Sequence, residues 1–296
     1  MSEASRPKGP PKTILLATDL SARCDRALDR AVSLSRQWGA KLLVLHVLER
    51  GVEPDRIAPS WRRPPDLLKA AKKQLWADIG SAAETVDILI EEGDPVEAIG
   101  RTAESKGCDL VVTGIARDEL FGRFVLGTTV DRLLRYSRVP ILIVKSRAQQ
   151  PYGHIAAAID FSESSRHALE TVIRFFPDQS LTIFHAYDPP LSGLTSDLAA
   201  YRRQFQASAE QDYRNFLKSM ASGETIKQRS RSFIEFGTPA DVVHEGVRDM
   251  NIDLVVLGTE GRGAVVEALF GSVAKAITAE LPCDALVVRE PQTIAS

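Results

Sequence analysis

Two copies of one pattern fill this chain, and the repeat limits the folds available to it more than any other feature. CDLVVTG at 108–114 matches IDLVVLG at 252–258, and EEGDP at 91–95 matches EFGTP at 235–239. Both pairs are 144 residues apart, from 108 to 252 and from 91 to 235. Matching segments at one fixed spacing predict that a single structural unit occurs twice.

The repeat extends towards the start of each copy. ILLATDLS at 14–21 matches IAAAIDFS at 155–162, and these two segments are 141 residues apart. The small change in spacing places a length difference in the variable segments between the matches. We therefore predict two domains of the same fold, at 1–148 and 149–296.

Each copy alternates short apolar runs with amphipathic stretches, which is the order of β-α-β units on a parallel sheet. The runs lack polar alternation, and this predicts strands covered on both faces. Helix signals separate them, such as Ser21 at an N-cap and Gly39 at the following C-terminus. In the first copy the runs are ILLAT, LLVLHV, VDILI, DLVVT and ILIV. The sequence predicts an α/β fold with two Rossmann-like, five-stranded parallel-sheet domains.

Composition excludes several classes of function. Among 296 residues, 37 Lys and Arg face 39 Asp and Glu, a formal net charge of −2 that does not favour nucleic acid. No apolar stretch reaches the ~18 residues of a membrane-spanning helix. Three scattered cysteines fit neither a disulfide framework nor a zinc site. We expect no nucleic-acid or membrane partner, no metal site and a cytoplasmic location.

The strand run at 252–258 leads into glycines that could hold phosphate. Gly258 and Gly261 allow close approach of a ligand, and Gly271 with Ser272 opens a helix whose free N–H groups favour an anion. The spacing matches neither a Walker A loop nor a GxGxxG motif. On spacing alone, phosphate binding and a tight strand-to-helix turn are equally well supported.

With these residues the chain resembles the universal stress proteins, specifically the tandem kind with two such domains. The nucleotide-binding members of that family carry the motif G-x2-G-x9-G-[ST]. Four residues here reproduce it: Gly258, Gly261, Gly271 and Ser272. The strand end at 159–162, Gly-Thr-Pro at 237–239 and PCDALVV at 282–288 also fit the family. The resemblance covers nearly the whole chain.

This resemblance implies a site for ATP at the carboxyl ends of the strands in the second copy, with the need for Mg²⁺ left open. Asp160 would face the adenosine moiety, the backbone of Ala186 would read the adenine edge, and Leu257 would flank the base. Five residues would hold the ribose and phosphates: Gly258, Gly261, Gly271, Ser272 and Val273.

The first copy carries a degenerate version of the motif. Its aligned residues are Gly114, Arg117, Gly127 and Thr128. Arg117 stands where the family has glycine, so its side chain either plugs the phosphate position or covers it as a cationic lid; the plug is favoured because the family glycine allows close backbone approach. Asp19 and Val47 match the adenosine-contacting positions, which leaves a weak or shorter nucleotide open.

No catalytic set is evident. Asp19 and Asp160 each follow an apolar strand, but no nucleophile, lysine or second carboxylate accompanies them in sequence. His46 and His185 end equivalent strands, and the repeat explains them as packing or hydrogen-bonding residues.

The resemblance implies a stress-response protein that binds ATP mainly in its second domain and regulates an unidentified protein partner. The two copies would form an intramolecular pseudo-dimer, and a further homodimer stays open. The alternatives are a slow ATPase or phosphotransferase that uses Asp160 and a metal, and a nucleotide-free interaction protein of the same fold.

Overall fold

The structure is a computed structural model, and it describes residues 9–21, 24–49, 66–80, 86–117, 124–188, 198–259 and 271–290. The chain divides into two compact units. The N-terminal unit consists of Pro11–Arg117 and Val125–Pro151, and the C-terminal unit consists mainly of Tyr152–Ser296.

The N-terminal unit alternates strands and helices along the chain. In order, its elements are β1 (Thr13–Thr18), α1 (Asp25–Trp38), β2 (Lys41–Leu48), α2 (Leu67–Ile79), β3 (Val86–Glu92), α3 (Pro95–Ser105), β4 (Leu110–Gly114), the short β5 (Ala116–Arg117) and β6 (Phe124–Val125), α4 (Thr128–Tyr136) and β7 (Ile141–Val144). The long strands run parallel in the order β7-β4-β1-β2-β3.

The C-terminal unit repeats this plan. Its elements are β8 (Ile155–Ala158), α5 (Glu163–Phe175), β9 (Leu181–Tyr187), α6 (Leu198–Lys218), α7 (Gly223–Arg229), β10 (Ser230–Phe236), α8 (Pro239–Asp249), β11 (Leu254–Gly258), α9 (Ser272–Glu280) and β12 (Asp284–Val288). The strands run parallel in the order β10-β9-β8-β11-β12.

The predicted α/β fold with parallel strands is confirmed. The central strands are buried on both faces, as the absence of polar alternation predicted: Ile14, Leu15 and Leu16 in β1 and Val255 and Val256 in β11 are fully covered. The strands belong to one ten-stranded sheet, so the prediction of two five-stranded sheets is wrong. Apolar periodicity identifies a strand but carries no information about the strand beside it.

Local helix signals explain where several helices begin. The Asp94 side chain accepts hydrogen bonds from the backbone N–H groups of Val96 and Glu97, at 2.9 and 3.1 Å. Thr238 accepts one from Asp241 N at 3.2 Å. A proline occupies the first helical position after both caps. Each cap therefore starts a helix directly after the preceding strand, at the carboxyl edge of the sheet.

One local prediction was wrong. Ser21 does not cap α1, which begins after Cys24 with no side-chain capping bond. The Ser21 hydroxyl instead donates to Asp19 Oδ1 at 2.6 Å. In the second copy the equivalent Ser162 does both: it donates to Asp160 and caps α5. The carboxylate alone therefore does not explain the different start of α1, because Ser162 bonds the equivalent carboxylate and still caps its helix.

Candidate functional site

A cavity of about 470 Å³ lies in the C-terminal unit at the carboxyl ends of β8, β9 and β11 and the start of α9. Seven of the eight residues that the resemblance assigned to ATP line it: Asp160, Ala186, Leu257, Gly258, Gly271, Ser272 and Val273. The eighth, Gly261, lies outside the described residues. Three separate strands and one helix thus bring the assigned residues to one place.

The Asp160 carboxylate is held at the rim of this cavity by its own loop. Its Oδ1 accepts hydrogen bonds from Ser162 N at 3.1 Å, Ser162 Oγ at 2.6 Å and Ser165 Oγ at 2.6 Å. Between these residues, Phe161 adopts a left-handed backbone with φ of 63°. A non-glycine residue in that region is held there by its surroundings. The carboxylate is therefore fixed in position.

The backbone of Ala186 faces the cavity because strand β8 ends early. Phe184 O accepts from Ile159 N at 2.9 Å on the β8 side, and Tyr187 O accepts from Gly237 N at 3.1 Å on the β10 side. Backbone groups of successive residues in a strand alternate in direction. The N–H and C=O of Ala186 consequently point to the β8 side, beyond the last residue of that strand, where a flat heterocycle could accept and donate hydrogen bonds.

His185, which precedes Ala186, has a structural role. Its Nδ1 lies 2.9 Å from Ile159 O, and its ring stacks on Phe161 with 4.1 Å between centroids. In the first copy, His46 Nδ1 lies at the same 2.9 Å from Thr18 O. The hydrogen-bonding role predicted for this histidine pair is confirmed.

Gly258 is required by packing. A Cβ at this position would lie 2.4 Å from Ser164 Oγ and 2.8 Å from the Ser164 carbonyl carbon, in the first turn of α5. The interpretation that this glycine serves only ligand approach is therefore incomplete, since any side chain would push against α5. Gly271 is less crowded: its Cβ would meet Thr259 O at 3.2 Å.

Thr259 was missed by the sequence analysis, although it lies inside the glycine motif. Its backbone donates to Val288 O at 3.1 Å and accepts from Gly271 N at 2.8 Å, which ties β11 to the start of α9. The residue lines the cavity and is only 3% exposed, and its buried Oγ1 has no hydrogen-bond partner among the described residues. A buried hydroxyl of this kind indicates a missing partner, either water or a ligand.

Helix α9 completes the cavity wall with its N-terminus. Gly271 occupies the N-cap position without a side-chain cap, and the first turn contains no acidic residue. The first backbone N–H groups of a helix lack partners within the helix, and its dipole is positive at this end. This end of the cavity therefore favours a negatively charged group.

A smaller cavity of about 280 Å³ occupies the equivalent place in the N-terminal unit. Five of the six residues assigned to the degenerate site line it: Asp19, Val47, Gly114, Gly127 and Thr128. The sixth, Arg117, forms part of β5, and its side chain lies outside what the structure describes. The choice between a plug and a cationic lid stays a prediction.

Comparison with known proteins places the chain in a family. The sequence model of the universal stress protein family matches it twice, at residues 11–145 and 151–289. The chain belongs to the universal stress protein family. Putative universal stress proteins from Staphylococcus aureus strains USA300 and N315 are each 30% identical to it over 144 residues, which is 47% of this chain and 84% of each relative.

Solved structures agree with this fold. A functionally unknown protein from Pseudomonas aeruginosa has a TM-score of 0.67 at 19% identity, covering 95% of this stress protein and 93% of its own chain. A universal stress protein from Archaeoglobus fulgidus has a TM-score of 0.67 at 20% identity, covering 94% and 98%. At these identities the likeness establishes the fold alone.

Neither metal ligands nor a membrane helix is found in the described part of this stress protein. Across the described ranges, no group of three His, Cys, Asp or Glu side chains is placed to hold a metal ion. Among the described helices, none combines the length and the apolar character that crossing a membrane requires.

The two aspartate loops of this stress protein differ at one position that carries chemistry. Cys24 takes the place of Ser165, and its thiol donates to Asp19 Oδ1 at 3.1 Å. Burial raises the pKa of Cys24 from 9.0 to about 11, and the neighbouring Asp19 carboxylate adds to the rise. The thiolate is therefore scarce at neutral pH.

At pH 8 we expect iodoacetamide to alkylate Cys24 about 100-fold more slowly in the folded chain than in urea, because a rise of two pKa units lowers the thiolate fraction by that factor. Peptide mass spectrometry measures both rates. Since the folded pKa is the higher one, the stability from this thiol is complete below about pH 9 and is lost as the pH rises towards 11. Equal alkylation rates in the two states would contradict the shift.

Proposed function

We propose that this universal stress protein binds ATP in the cavity of the C-terminal unit and regulates a protein partner according to nucleotide occupancy. One observation carries the proposal: seven residues of the nucleotide motif and its partner strands line one cavity, beside a buried hydroxyl that has no hydrogen-bond partner among the described residues. A cytoplasmic location, domains at 1–148 and 149–296, and a pseudo-dimeric arrangement complete the proposal.

The lining of the cavity suits the parts of an adenine nucleotide in turn. Leu257, Val243 and Ile277 supply apolar surface for a base, and the Ala186 backbone supplies a donor and an acceptor for its edge. The Asp160 carboxylate suits the hydroxyl donors of a ribose. The N-terminus of α9 suits a phosphate.

The same lining supports binding over turnover. Among the described lining residues, Asp160 is the only carboxylate, and there is no lysine, histidine or cysteine. Oδ1 of that carboxylate already accepts three hydrogen bonds, which hold the group as a fixed acceptor. Occupancy by ATP, with Mg²⁺ carried on its phosphates, would then act by ordering the loops around the cavity.

Thr259→Val tests the proposed site. The variant keeps the shape of the side chain and removes only the buried hydroxyl, so we expect ATP to bind about tenfold more weakly in calorimetry. The free energy of unfolding should not fall, because Oγ1 has no partner among the described residues to lose.

Thr113→Val makes the same chemical change at a buried threonine that lines the cavity of the N-terminal unit, and it should leave ATP binding unchanged. If Thr259→Val binds ATP as the wild type does, Thr259 is not part of the site. If the wild type shows no ATP binding and releases no nucleotide on acid denaturation, the proposed function is wrong.

A further inference from the structure

We propose that the cavity of the N-terminal unit is a second site, which binds an unphosphorylated purine nucleoside such as adenosine and rejects its phosphate esters. The inference rests on the proposed function, because it compares this cavity with the ATP site of the C-terminal unit. It differs from that function in ligand class and location: one chain would hold one nucleotide and one nucleoside.

The nucleoside end of the N-terminal cavity is built like its counterpart. Asp19 Oδ1 accepts from Ser21 Oγ at 2.6 Å, the distance found between Asp160 and Ser162. Leu20 has a φ of 59°, which matches the strained position after Asp160. Such strain persists only where surrounding contacts impose it, so the same aspartate geometry is enforced in both units.

The base-reading backbone is also retained. Strand β1 ends at Thr18, which pairs with His46, so the next residue of β2, Val47, extends past the end of its neighbour. Leu48 O accepts from Gly93 N at 3.0 Å on the β3 side. By the alternation of backbone groups along a strand, the N–H and C=O of Val47 face the cavity, as those of Ala186 do.

The phosphate end, in contrast, has lost its features. Ile115 occupies the position of Thr259 and lines the cavity, so the buried hydroxyl is replaced by an apolar side chain. The first turn of α4 contains Asp131, where α9 has Lys275. Asp131 offsets the positive end of the helix dipole, although its Oδ2 pairs with Arg135 Nε at 3.0 Å and the residue does not line the cavity. The cavity is also smaller, at about 280 Å³ against 470 Å³.

Carboxylates at the entrance of the N-terminal cavity add negative charge. Glu49 lines both the cavity and an adjoining groove, whose wall also contains Glu92, Asp94, Glu97 and Arg101. Arg101 is bonded to Glu91 at 2.6 Å, and Asp94 is bonded to Arg132 at 2.7 Å, which leaves an excess of carboxylates. In the second copy the positions of Glu92 and Asp94 hold Phe236 and Thr238.

These charges select the ligand. A carboxylate at the β2 end accepts hydrogen bonds from an exocyclic amino group and repels an anion. A neutral aminopurine nucleoside satisfies the retained backbone and aspartate groups and avoids the repulsion from the carboxylates at the β2 end.

Equilibrium dialysis of the full chain with labelled adenosine and labelled ATP tests the proposal. We expect two adenosines and one ATP per chain, with saturating ATP displacing one of the two adenosines. Filling the N-terminal cavity with Ala17→Phe should remove one adenosine and leave ATP binding unchanged. Ala158→Phe, the matched change in the C-terminal unit, should remove ATP and the other adenosine.

A second variant keeps the test valid if Ala17→Phe does not fold. Glu49→Gln combined with Asp131→Lys restores the charge pattern of the ATP site, and it should raise ATP affinity at the N-terminal cavity by at least about tenfold. One adenosine per chain that ATP displaces completely would overturn the inference, as would a second wild-type ATP. If ATP does not bind but an adenosine sensitive to the N-terminal variants remains, the proposed function fails and the nucleoside site stands.

Discussion

Ala158→Phe is expected to weaken ATP binding by at least about 100-fold, or about 2.7 kcal/mol. Ala158 is the last residue of β8 and lines the cavity of the C-terminal unit. A phenyl ring added at this point occupies the space between β9 and β11 that the base requires. The ring is apolar and would pack against apolar lining residues. The loss in free energy of unfolding should therefore be smaller than the loss in free energy of ATP binding.

Calorimetry with ATP measures this loss, and circular dichroism with thermal unfolding shows whether the variant is folded. Ala17→Phe is the matched control, since Ala17 lines the corresponding cavity of the other unit. That variant should bind ATP with wild-type affinity. If Ala158→Phe is folded and binds ATP normally, the nucleotide does not occupy this cavity.

Tyr152→Phe is expected to lower the free energy of unfolding by about 2 kcal/mol, which corresponds to a fall in Tm of about 4–8 °C. The Tyr152 hydroxyl donates to Asp284 Oδ2 at 2.6 Å, and the two residues are 1% and 0% exposed. Removing the hydroxyl takes a donor from a buried carboxylate, which cannot regain it from water. The ring contact with Phe176, at 5.9 Å between centroids, is kept in the variant.

Urea unfolding followed by circular dichroism measures the effect. Tyr136→Phe makes the same chemical change at a residue that is 64% exposed, and it should leave the unfolding transition where it is. A Tyr152→Phe variant as stable as the wild type would show that the buried carboxylate is satisfied without this hydroxyl. The pair belongs to the C-terminal unit alone, because Pro140 takes the place of Asp284 in the first copy.

The sequence by itself determined the order of the strands and helices, and it predicted most of the residues that form the site. Apolar runs without alternation marked strands covered on both faces, and Thr238 followed by Pro239 marked the start of α8. Parallel strands in such a fold present their carboxyl ends at one edge of the sheet, so residues that follow different strands converge. The family resemblance assigned Asp160, Ala186 and Gly258 to one site, and this geometry explains why they meet there.

Only the tertiary structure decided how those residues are held. Gly258 is a glycine because Ser164, distant in sequence, packs against it, and Ser165 fixes Asp160 from the first turn of a helix. The buried pair of Tyr152 and Asp284 spans 132 residues. Caps and turns depend on groups within about four residues of each other, and a sequence shows these directly. Packing and buried hydrogen bonds join groups that only folding brings together, so they were fixed by the three-dimensional arrangement of the strands and helices.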